Sequence, residues 1–288
     1  MFKRVRFSLF ALCSLLMLFS CEKVNITEEE QSGKSKGNLT VSVFQLEQTP
    51  FDAISRAEPA AACNRLNFAI YALDGTRVKQ INQVMGDTDF GTAAFQLNEG
   101  TYRLVVVAHS SSSNPTMTDP AKIQFSNSTG YSDTFLCSGT VEIKDKPVDM
   151  KLTLDRIVAL CRFVITDDYP SEVARMRFQY TGGSGAFSAI SGFGCVNSTQ
   201  TVTFEIVTGQ KQFDLYTFLH DTSGTIHLET AALDANGNVI SEHTFDVPLK
   251  RNNITWLQGS YFAPTTFSSS INSIDIKNEW AGESHIGY

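Results

Sequence analysis

Residues 95–109 read FQLNEGTYRLVVVAH, in which a turn dipeptide separates two runs of strand-forming residues. Glu99-Gly100 supplies the turn, and the β-branched and aromatic residues that follow favour extended structure. From Leu104 to Ala108 every position is apolar, so both faces of this strand are expected to be buried. Tyr102 should share a face with Leu104, because side chains alternate along a strand. The stretch predicts a central strand of a layered β structure.

The same alternation of apolar and polar residues recurs along the rest of the chain, beginning at 39–43 and 66–70. Later strands are predicted at 157–165, 175–180, 201–207, 213–219, 225–233, 239–247 and 254–262. Short strands at this spacing are typical of β-sandwiches, so the predicted fold class is all-β. The Ser-, Asn- and Pro-rich residues 110–120 are predicted to form a loop, and only 169–173 resemble a turn of helix.

Two turn clusters are similar in the two halves of the chain. Asp74-Gly75 is a strong hairpin signal in the first half, and residues 234–238 form a comparable cluster in the second. This similarity leads to the hypothesis that the halves share one topology.

The N-terminus has the features of a cleavable export signal. Basic residues at positions 3, 4 and 6 precede an apolar run from Phe7 to Phe19. The run is shorter than the about 20 residues that a membrane-spanning helix needs. It stops just before Cys21, with Leu18 at the third position before the cysteine, which resembles the bacterial lipobox. We predict a lipoprotein signal peptide at 1–20 and a lipid on Cys21; the alternative is a plain secretory signal with an incidental cysteine.

The remainder divides into a tether, a body and a tail. Residues 21–37 are rich in Glu, Lys, Ser and Gly, a composition that buries too little apolar surface to fold, and they are predicted to be a flexible tether. The body is long enough for two cores, so we predict an N-terminal β-sandwich at 38–155 and a C-terminal β-sandwich at 156–263. Residues 264–288 form a C-terminal segment whose apolar members are Ile271, Ile274, Ile276 and Trp280.

Charge and motif content argue against several kinds of chemistry. The formal charge of −7 becomes −10 when residues 1–20, which carry three positive charges and no acid, are removed. The longest later basic cluster is Lys250-Arg251, so no nucleic-acid partner is expected. The glycine-rich segment 181–185 lacks the Lys-Ser/Thr ending of a phosphate loop, and Asp167-Asp168 is interpreted as a solvated turn.

The histidines and cysteines likewise indicate no reactive centre. His109, His220, His227, His243 and His285 lie far apart in the sequence, without the spacing of a metal site. No catalytic residue, cofactor, metal or small-molecule substrate is therefore predicted, and replacing His109 or His220 should leave the function intact. The cysteines of the body, Cys63, Cys137, Cys161 and Cys195, are compatible either with one or two disulfides or with buried thiols.

Seven strings in a fixed order carry a resemblance to a known family. They are 90–92, 97–110, 156–159, 181–185, 192–198, 233–240 and 247–255. Together they resemble the fimbrial anchor subunit family of type V pili, the FimB-type fimbrillin-associated anchor lipoproteins, over most of the mature chain.

This resemblance implies two tandem transthyretin-like Greek-key β-sandwich domains without catalytic activity, located at the cell outer membrane and in the fimbrium. Its implied partners are fimbrial (pilin) subunits, besides the membrane reached through the lipid on Cys21. Subunits of such pili polymerise by strand exchange, in which an extended segment of one subunit completes the sandwich of the next. Residues 264–288 would then be either the strand presented to a neighbour or an edge strand folded on its own domain.

The resemblance also bears on proteolysis of the first strand. A polymerising subunit loses its N-terminal strand to a protease, often one that cuts after arginine, and Arg56 lies in the predicted loop 55–58. For a base anchor we expect Arg56 to stay uncleaved and the strand at 39–46 to remain paired. The alternative functions are a tip or accessory pilus subunit acting as an adhesin, and a surface glycan-binding lipoprotein that uses exposed aromatics such as Trp256 and Trp280. An enzyme is a further rival class.

Overall fold

The structure is a computed structural model that describes residues 38–48, 55–57, 63–126, 131–263 and 283–287. These residues form strands, turns and bends and contain no helix, so none of them could cross a membrane as a helix. The helical turn predicted at 169–173 is wrong, because five residues cannot offset the cost of helix nucleation. Instead, Val173 donates a backbone hydrogen bond of 3.1 Å to Pro170 and closes a turn.

The first half contains one eight-stranded sheet and two short strands outside it. The strands are β1 (Leu39–Gln48), β2 (Ser55–Ala57), β3 (Arg65–Ala72), β4 (Arg77–Val84), β5 (Thr92–Phe95), β6 (Gly100–His109), β7 (Thr116–Asp119), β8 (Lys122–Gln124), β9 (Thr134–Ile143) and β10 (Val148–Arg156). The sheet order is β2-β1-β10-β9-β6-β3-β4, with β5 paired to β1. β10 meets β9 only at Asp155 and Arg156. The sheet folds over at this short contact, so that side chains of β1, β5 and β10 face those of β3, β6 and β9 in one core.

The second half forms two separate sheets that face each other. The strands are β11 (Ala159–Ile165), β12 (Arg175–Thr181), β13 (Ala186–Phe187), β14 (Gln200–Glu205), β15 (Gln212–Thr217), β16 (Ser223–Leu233), β17 (Val239–Lys250), β18 (Ile254–Gly259) and β19 (Glu283–Gly287). One sheet has the order β15-β11-β18-β19 and the other β14-β12-β16-β17. Their facing side chains form the second core, and the predicted all-β class with two β-sandwiches in tandem is confirmed.

The two halves share one seven-strand topology. In chain order, β1, β3, β4, β5, β6, β9 and β10 correspond to β11, β12, β14, β15, β16, β17 and β18, with equivalent partners and directions. The hypothesis of a shared topology holds, although the two turn clusters that suggested it lie at different positions of that topology. Asp74-Gly75 joins β3 to β4, whereas residues 234–238 join β16 to β17, the counterparts of β6 and β9.

A third apolar cluster joins the halves. Val105 and Val107, on the outer face of β6, pack with Leu160 of β11, Phe218 and Ile254 of the second half. The stretch of β6 that is apolar on both faces thus contributes to two cores, and the prediction that both of its faces are buried is confirmed. A small sheet of order β13-β8-β7 lies at the same junction, so the loop predicted at 110–120 is wrong where it includes β7. Tertiary pairing with β8 makes this polar segment extended.

One buried arginine ties the junction together. The Arg156 side chain is 2% exposed and forms a bidentate ion pair with Asp133 at 2.7 and 2.6 Å. A third bond, of 3.3 Å, reaches Asn252 in the turn between β17 and β18. Its guanidinium also lies 4.8 Å from the centre of the Phe135 ring. Moving the end of β10 away from the start of β9 would leave this buried arginine unpaired, which is costly. These contacts therefore hold the two strand ends together.

The glycine-rich segment 181–185 is explained by close packing at this junction. A Cβ atom on Gly183 would clash with the Thr217 side chain, and one on Gly182, whose φ is +86°, would clash with the Thr225 carbonyl oxygen. The segment therefore requires glycine for steric reasons, and it connects β12 to β13 as predicted for a loop between strands.

Candidate functional site

The first strand fills a slot between two neighbours. β1 pairs in parallel with β10 from Leu39–Val148 to Glu47–Asp155, and its first half also pairs antiparallel with β5. Leu39, Val41 and Leu46 are fully buried in the first core, because alternate residues of β1 face inward. With β1 in place, both of its hydrogen-bonding edges are occupied along residues 39–42.

The segment around Arg56 is extended rather than looped. Ser55–Ala57 forms β2, which pairs antiparallel with the end of β1 in the register Leu46–Ala57, Glu47–Arg56 and Gln48–Ser55. The loop predicted at 55–58 is therefore wrong for these three residues. Its polar composition gave no strand signal, and the pairing with β1 makes it extended.

Part of the C-terminal segment lies on the edge of the second sandwich. β19 pairs in parallel with β18, from Ile254–Glu283 to Gln258–Gly287. Ile286 packs against the second core, and the Ser284 hydroxyl donates a hydrogen bond of 3.1 Å to Thr255 Oγ1. Thr255 in turn donates one of 2.9 Å to the Pro248 carbonyl. Residues 283–287 therefore form an edge strand on their own domain.

A row of four cross-strand neighbours lies on the outer face of this sheet. Asp214, Arg162, Trp256 and His285 stand side by side on β15, β11, β18 and β19. Arg162 forms two bonds of 2.8 Å with Asp214, and its guanidinium lies 4.9 Å from the Trp256 ring centre. The His285 ring stacks on Trp256 with a centroid distance of 5.4 Å and an interplanar angle of 11°. The strand order puts Arg162 and His285 on opposite sides of Trp256, so this indole is not an open aromatic platform.

Asp167 binds the chain where it leaves β18. Its carboxylate accepts hydrogen bonds from the Ser260 hydroxyl at 2.9 Å and from the backbone N–H groups of Tyr261, Phe262 and Ala263 at 2.8, 2.6 and 2.9 Å. Desolvation raises the pKa of Asp167, but these donors outweigh it and lower the pKa to about 2. Asp167 thus ties the start of the C-terminal segment to the end of β11.

The sequence does not indicate this role of Asp167. Asp167-Asp168 was expected to be a solvated turn, which holds for Asp168, whose side chain is fully exposed. Asp167 is partly buried. Its donors lie more than 90 residues away in the sequence, and no local pattern could have indicated the contact.

The predicted site residues fall mostly outside the described part of the chain. This is the case for Cys21, for the signal peptide at 1–20, for the tether at 21–37, and for Ile271, Ile274, Ile276 and Trp280. The structure therefore shows the sheet edge to which the segment 264–288 returns, but not the side chains that were predicted to bind a partner.

The histidines of the described residues lie in separate places. His109 is buried, and its Nε2 lies 2.8 Å from Asn67 Oδ1, while His227 lies 2.9 Å from Asp246 on the outer face of β16. His243 Nε2 is 2.9 Å from the Tyr261 carbonyl and His220 Nδ1 2.9 Å from that of Gly194. Within the ranges that the structure describes, no three His, Cys, Asp or Glu residues are grouped to hold a metal ion.

Two cysteines are thiols in clearly different surroundings. Cys161 is fully buried on β11, and burial raises its pKa to about 12. Cys195 is exposed in the segment between β13 and β14. Both are free thiols, so the buried-thiol alternative holds for Cys161, whereas Cys195 is a thiol at the surface.

Comparison with known proteins places the chain in a family. The model of a family of unknown function, DUF6562, matches residues 30–287, so the chain belongs to that family. A search of curated protein sequences found no match.

Solved structures resemble the chain at low sequence identity. A candidate adhesin from Bacteroides ovatus has a TM-score of 0.48 and 15% identity, covering 72% of this chain and 82% of that one. The fimbrial anchor protein Mfa2 from Porphyromonas gingivalis has a TM-score of 0.40 and 11% identity, covering 71% and 80%. A fimbrial assembly protein from Parabacteroides distasonis has a TM-score of 0.39 and 12% identity, covering 77% and 90%. Two of these three proteins are described as fimbrial proteins.

Proposed function

We propose that this chain is a non-enzymatic lipoprotein that anchors the base of a fimbria, a type V pilus, to the cell outer membrane. The lipid on Cys21 holds it to the membrane, and the tether 21–37 spaces the body from the bilayer. Its partners are fimbrial (pilin) subunits, which it joins by strand exchange. No small-molecule substrate, nucleic acid or cofactor takes part.

The observation that carries this proposal is the contrast between the two terminal strands. β1 has neighbours on both edges along residues 39–42 and buries Leu39 and Val41, so the first sandwich is complete without a strand from another subunit. β19 has β18 as its paired neighbour and contributes Ile286 to the second core. A strand held on one edge is released at lower cost than one held on both. The chain is therefore suited to present its C-terminal segment and not to accept a strand in place of β1.

Lipid retention follows from the same arrangement. Cleavage after Arg56 would separate the lipid from the body, and would also remove β1 if this strand left its slot. A base anchor keeps both, whereas a polymerising or tip subunit gives them up. The candidate binding residues Ile271, Ile274, Ile276 and Trp280 belong to the segment that leaves the body beside Asp167.

A pair of variants tests the two attachments separately. Deleting residues 264–288 should leave a folded, membrane-bound lipoprotein from which pili are shed into the medium. Cys21→Ala should instead release the folded protein from the membrane fraction, because a mature chain without acyl chains has no stable anchor. Retention of Cys21→Ala on membranes after a high-salt wash, or normal retention of pili by the deletion variant, would contradict the proposal.

A further inference from the structure

The direction of mechanical load through this chain follows from its two attachments. Tension from the lipid reaches the body at the start of β1, and tension from the fibre leaves it at the end of β18, beyond Gly259. This direction rests on the proposed function. The response of the fold to tension between these two points does not, because the strand topology alone determines it.

In the first sandwich the loaded strands are adjacent and parallel. β1 is pulled from its N-terminal end at Leu39, and β10 is held at its C-terminal end at Arg156, where the second sandwich begins. Their register runs from Leu39–Val148 to Glu47–Asp155. Opposite pulls on the opposite ends of two parallel strands slide them along each other, so the hydrogen bonds between them are loaded together.

The second sandwich repeats this geometry. Load passes to β11 at its N-terminal end, Ala159, and leaves β18 at its C-terminal end, Gly259. These strands are also adjacent and parallel, in the register Leu160–Ile254 to Ile165–Gly259. Because the two halves share one seven-strand topology, the first and last of the seven shared strands in each half form the pair that carries the load.

We propose that this chain is a load-bearing protein in which two mechanical clamps, β1 with β10 and β11 with β18, act in series. A single backbone hydrogen bond contributes little to stability on its own. Bonds that open one after another therefore resist force weakly, whereas bonds that must break together set a high barrier to forced unfolding.

Side chains reinforce each point at which load enters or leaves a clamp. At the entrance, the Asn38 amide exchanges two hydrogen bonds with the Leu97 backbone, of 2.7 and 2.9 Å. At the transfer point, Arg156 is paired with Asp133 and bonded to Asn252. At the exit, Asp167 accepts the four hydrogen bonds from residues 260–263. Each residue ties a strand end to a different part of the fold.

Single-molecule force spectroscopy with two pulling geometries tests the proposal. In the first, the unlipidated mature chain is held through Cys21 and a Thr265→Cys attachment, in a Cys195→Ser background that removes the exposed thiol. In the second, the attachments are Ser223→Cys and Lys250→Cys, with Cys21 also replaced by Ser. Ser223 and Lys250 are exposed register partners at the open end of the β16–β17 hairpin, so this geometry peels the two strands apart pair by pair.

The expected result is a severalfold higher unfolding force in the first geometry than in the second. Equal forces would overturn the proposal, whether or not the protein anchors pili. Conversely, high force together with unchanged pilus retention after tail deletion would overturn the proposed function alone. Ser223, Lys250 and Cys195 are exposed, and Cys21 and Thr265 lie outside the described residues, so the comparison replaces no residue of the two cores.

A matched pair of variants tests the role of Asp167 at the point where load leaves the second clamp. Asp167→Asn should lower the unfolding force in the first geometry, because a neutral amide is a weaker acceptor for the four donors. Asp168→Asn, which alters only the exposed neighbour bonded to Lys211, should leave it unchanged. Equal unfolding forces for Asp167→Asn and the unmodified chain would show that Asp167 does not strengthen the clamp. Circular dichroism checks that each variant is folded.

Discussion

Leu104 lies on the face of β6 that points into the first core, where it is 3% exposed. Leu104→Ala removes buried methyl groups and leaves a cavity, so we expect a loss of about 2–5 kcal/mol in the free energy of unfolding. Urea denaturation measures this loss. Leu73→Ala is the matched control, because Leu73 is 64% exposed and should change stability by less than about 0.5 kcal/mol. Similar losses for the two variants would contradict the assignment of β6 to the core.

His109 should make stability depend on pH. Its Nδ1 accepts a hydrogen bond from the Ser111 N–H at 3.1 Å, so the neutral ring donates from Nε2 to Asn67. Burial, and then the charge of Arg65, lower its pKa from 6.5 to about 4. The unfolded chain therefore takes up a proton that the folded chain does not. Protonation of His109 therefore leaves the free energy of unfolding unchanged above pH 6.5. As the pH falls from 6.5 towards 4, it lowers the free energy of unfolding by roughly 3 kcal/mol.

Unfolding free energies measured between pH 4 and pH 7 test this dependence. His109→Gln should flatten the slope, whereas His220→Gln, at an exposed position, should leave it as in the unmodified chain. A slope that persists in His109→Gln would assign the titration to another group. The expectation that replacing these histidines leaves function intact is compatible with this effect, which concerns stability alone.

At the scale of elements, β19 should open more easily than any strand of the two cores. Its side-chain contacts with β18 are the His285–Trp256 stack, the Ser284–Thr255 hydrogen bond and the packing of Ile286. His285→Ala removes a ring stack worth about 0.5–1.5 kcal/mol, so amide exchange at 283–287 should quicken by roughly 2- to 10-fold. His227→Ala, on the outer face of β16, is the control. Unchanged exchange in His285→Ala would show that the stack does not hold β19.

The sequence predicts strands well where burial imposes a pattern, and poorly where pairing alone makes a segment extended. The alternation at 39–43 indicates that one face of the strand is buried, and the apolar run in β6 indicates that both faces are buried. β2 and β7 are short and polar, and they are strands because β1 and β8 lie beside them. Parallel pairing of β18 with β19 is equally invisible in sequence, since 23 residues separate the two strands.

At the scale of the whole molecule, the junction shows why the assembly of the halves could not be read from sequence. Arg156 bonds to Asp133, 23 residues earlier, and to Asn252, 96 residues later. The strings 156–159 and 247–255, each unspecific alone, meet at this point. The apolar stretch 104–108 did indicate a strand buried on both faces, but not that one of those faces belongs to a core between two sandwiches.

The proposed anchoring role requires the chain to stay whole from Cys21 to its C-terminal segment. The register Glu47–Arg56 places Arg56 in a strand paired with β1, and a protease needs an unpaired backbone to cut there. Mass spectrometry of the protein purified from the cell surface tests the claim directly. We predict a mature N-terminus at an acylated Cys21, with residues 55–57 intact. A mature N-terminus at Ala57 would contradict the anchor and indicate a polymerising or tip subunit.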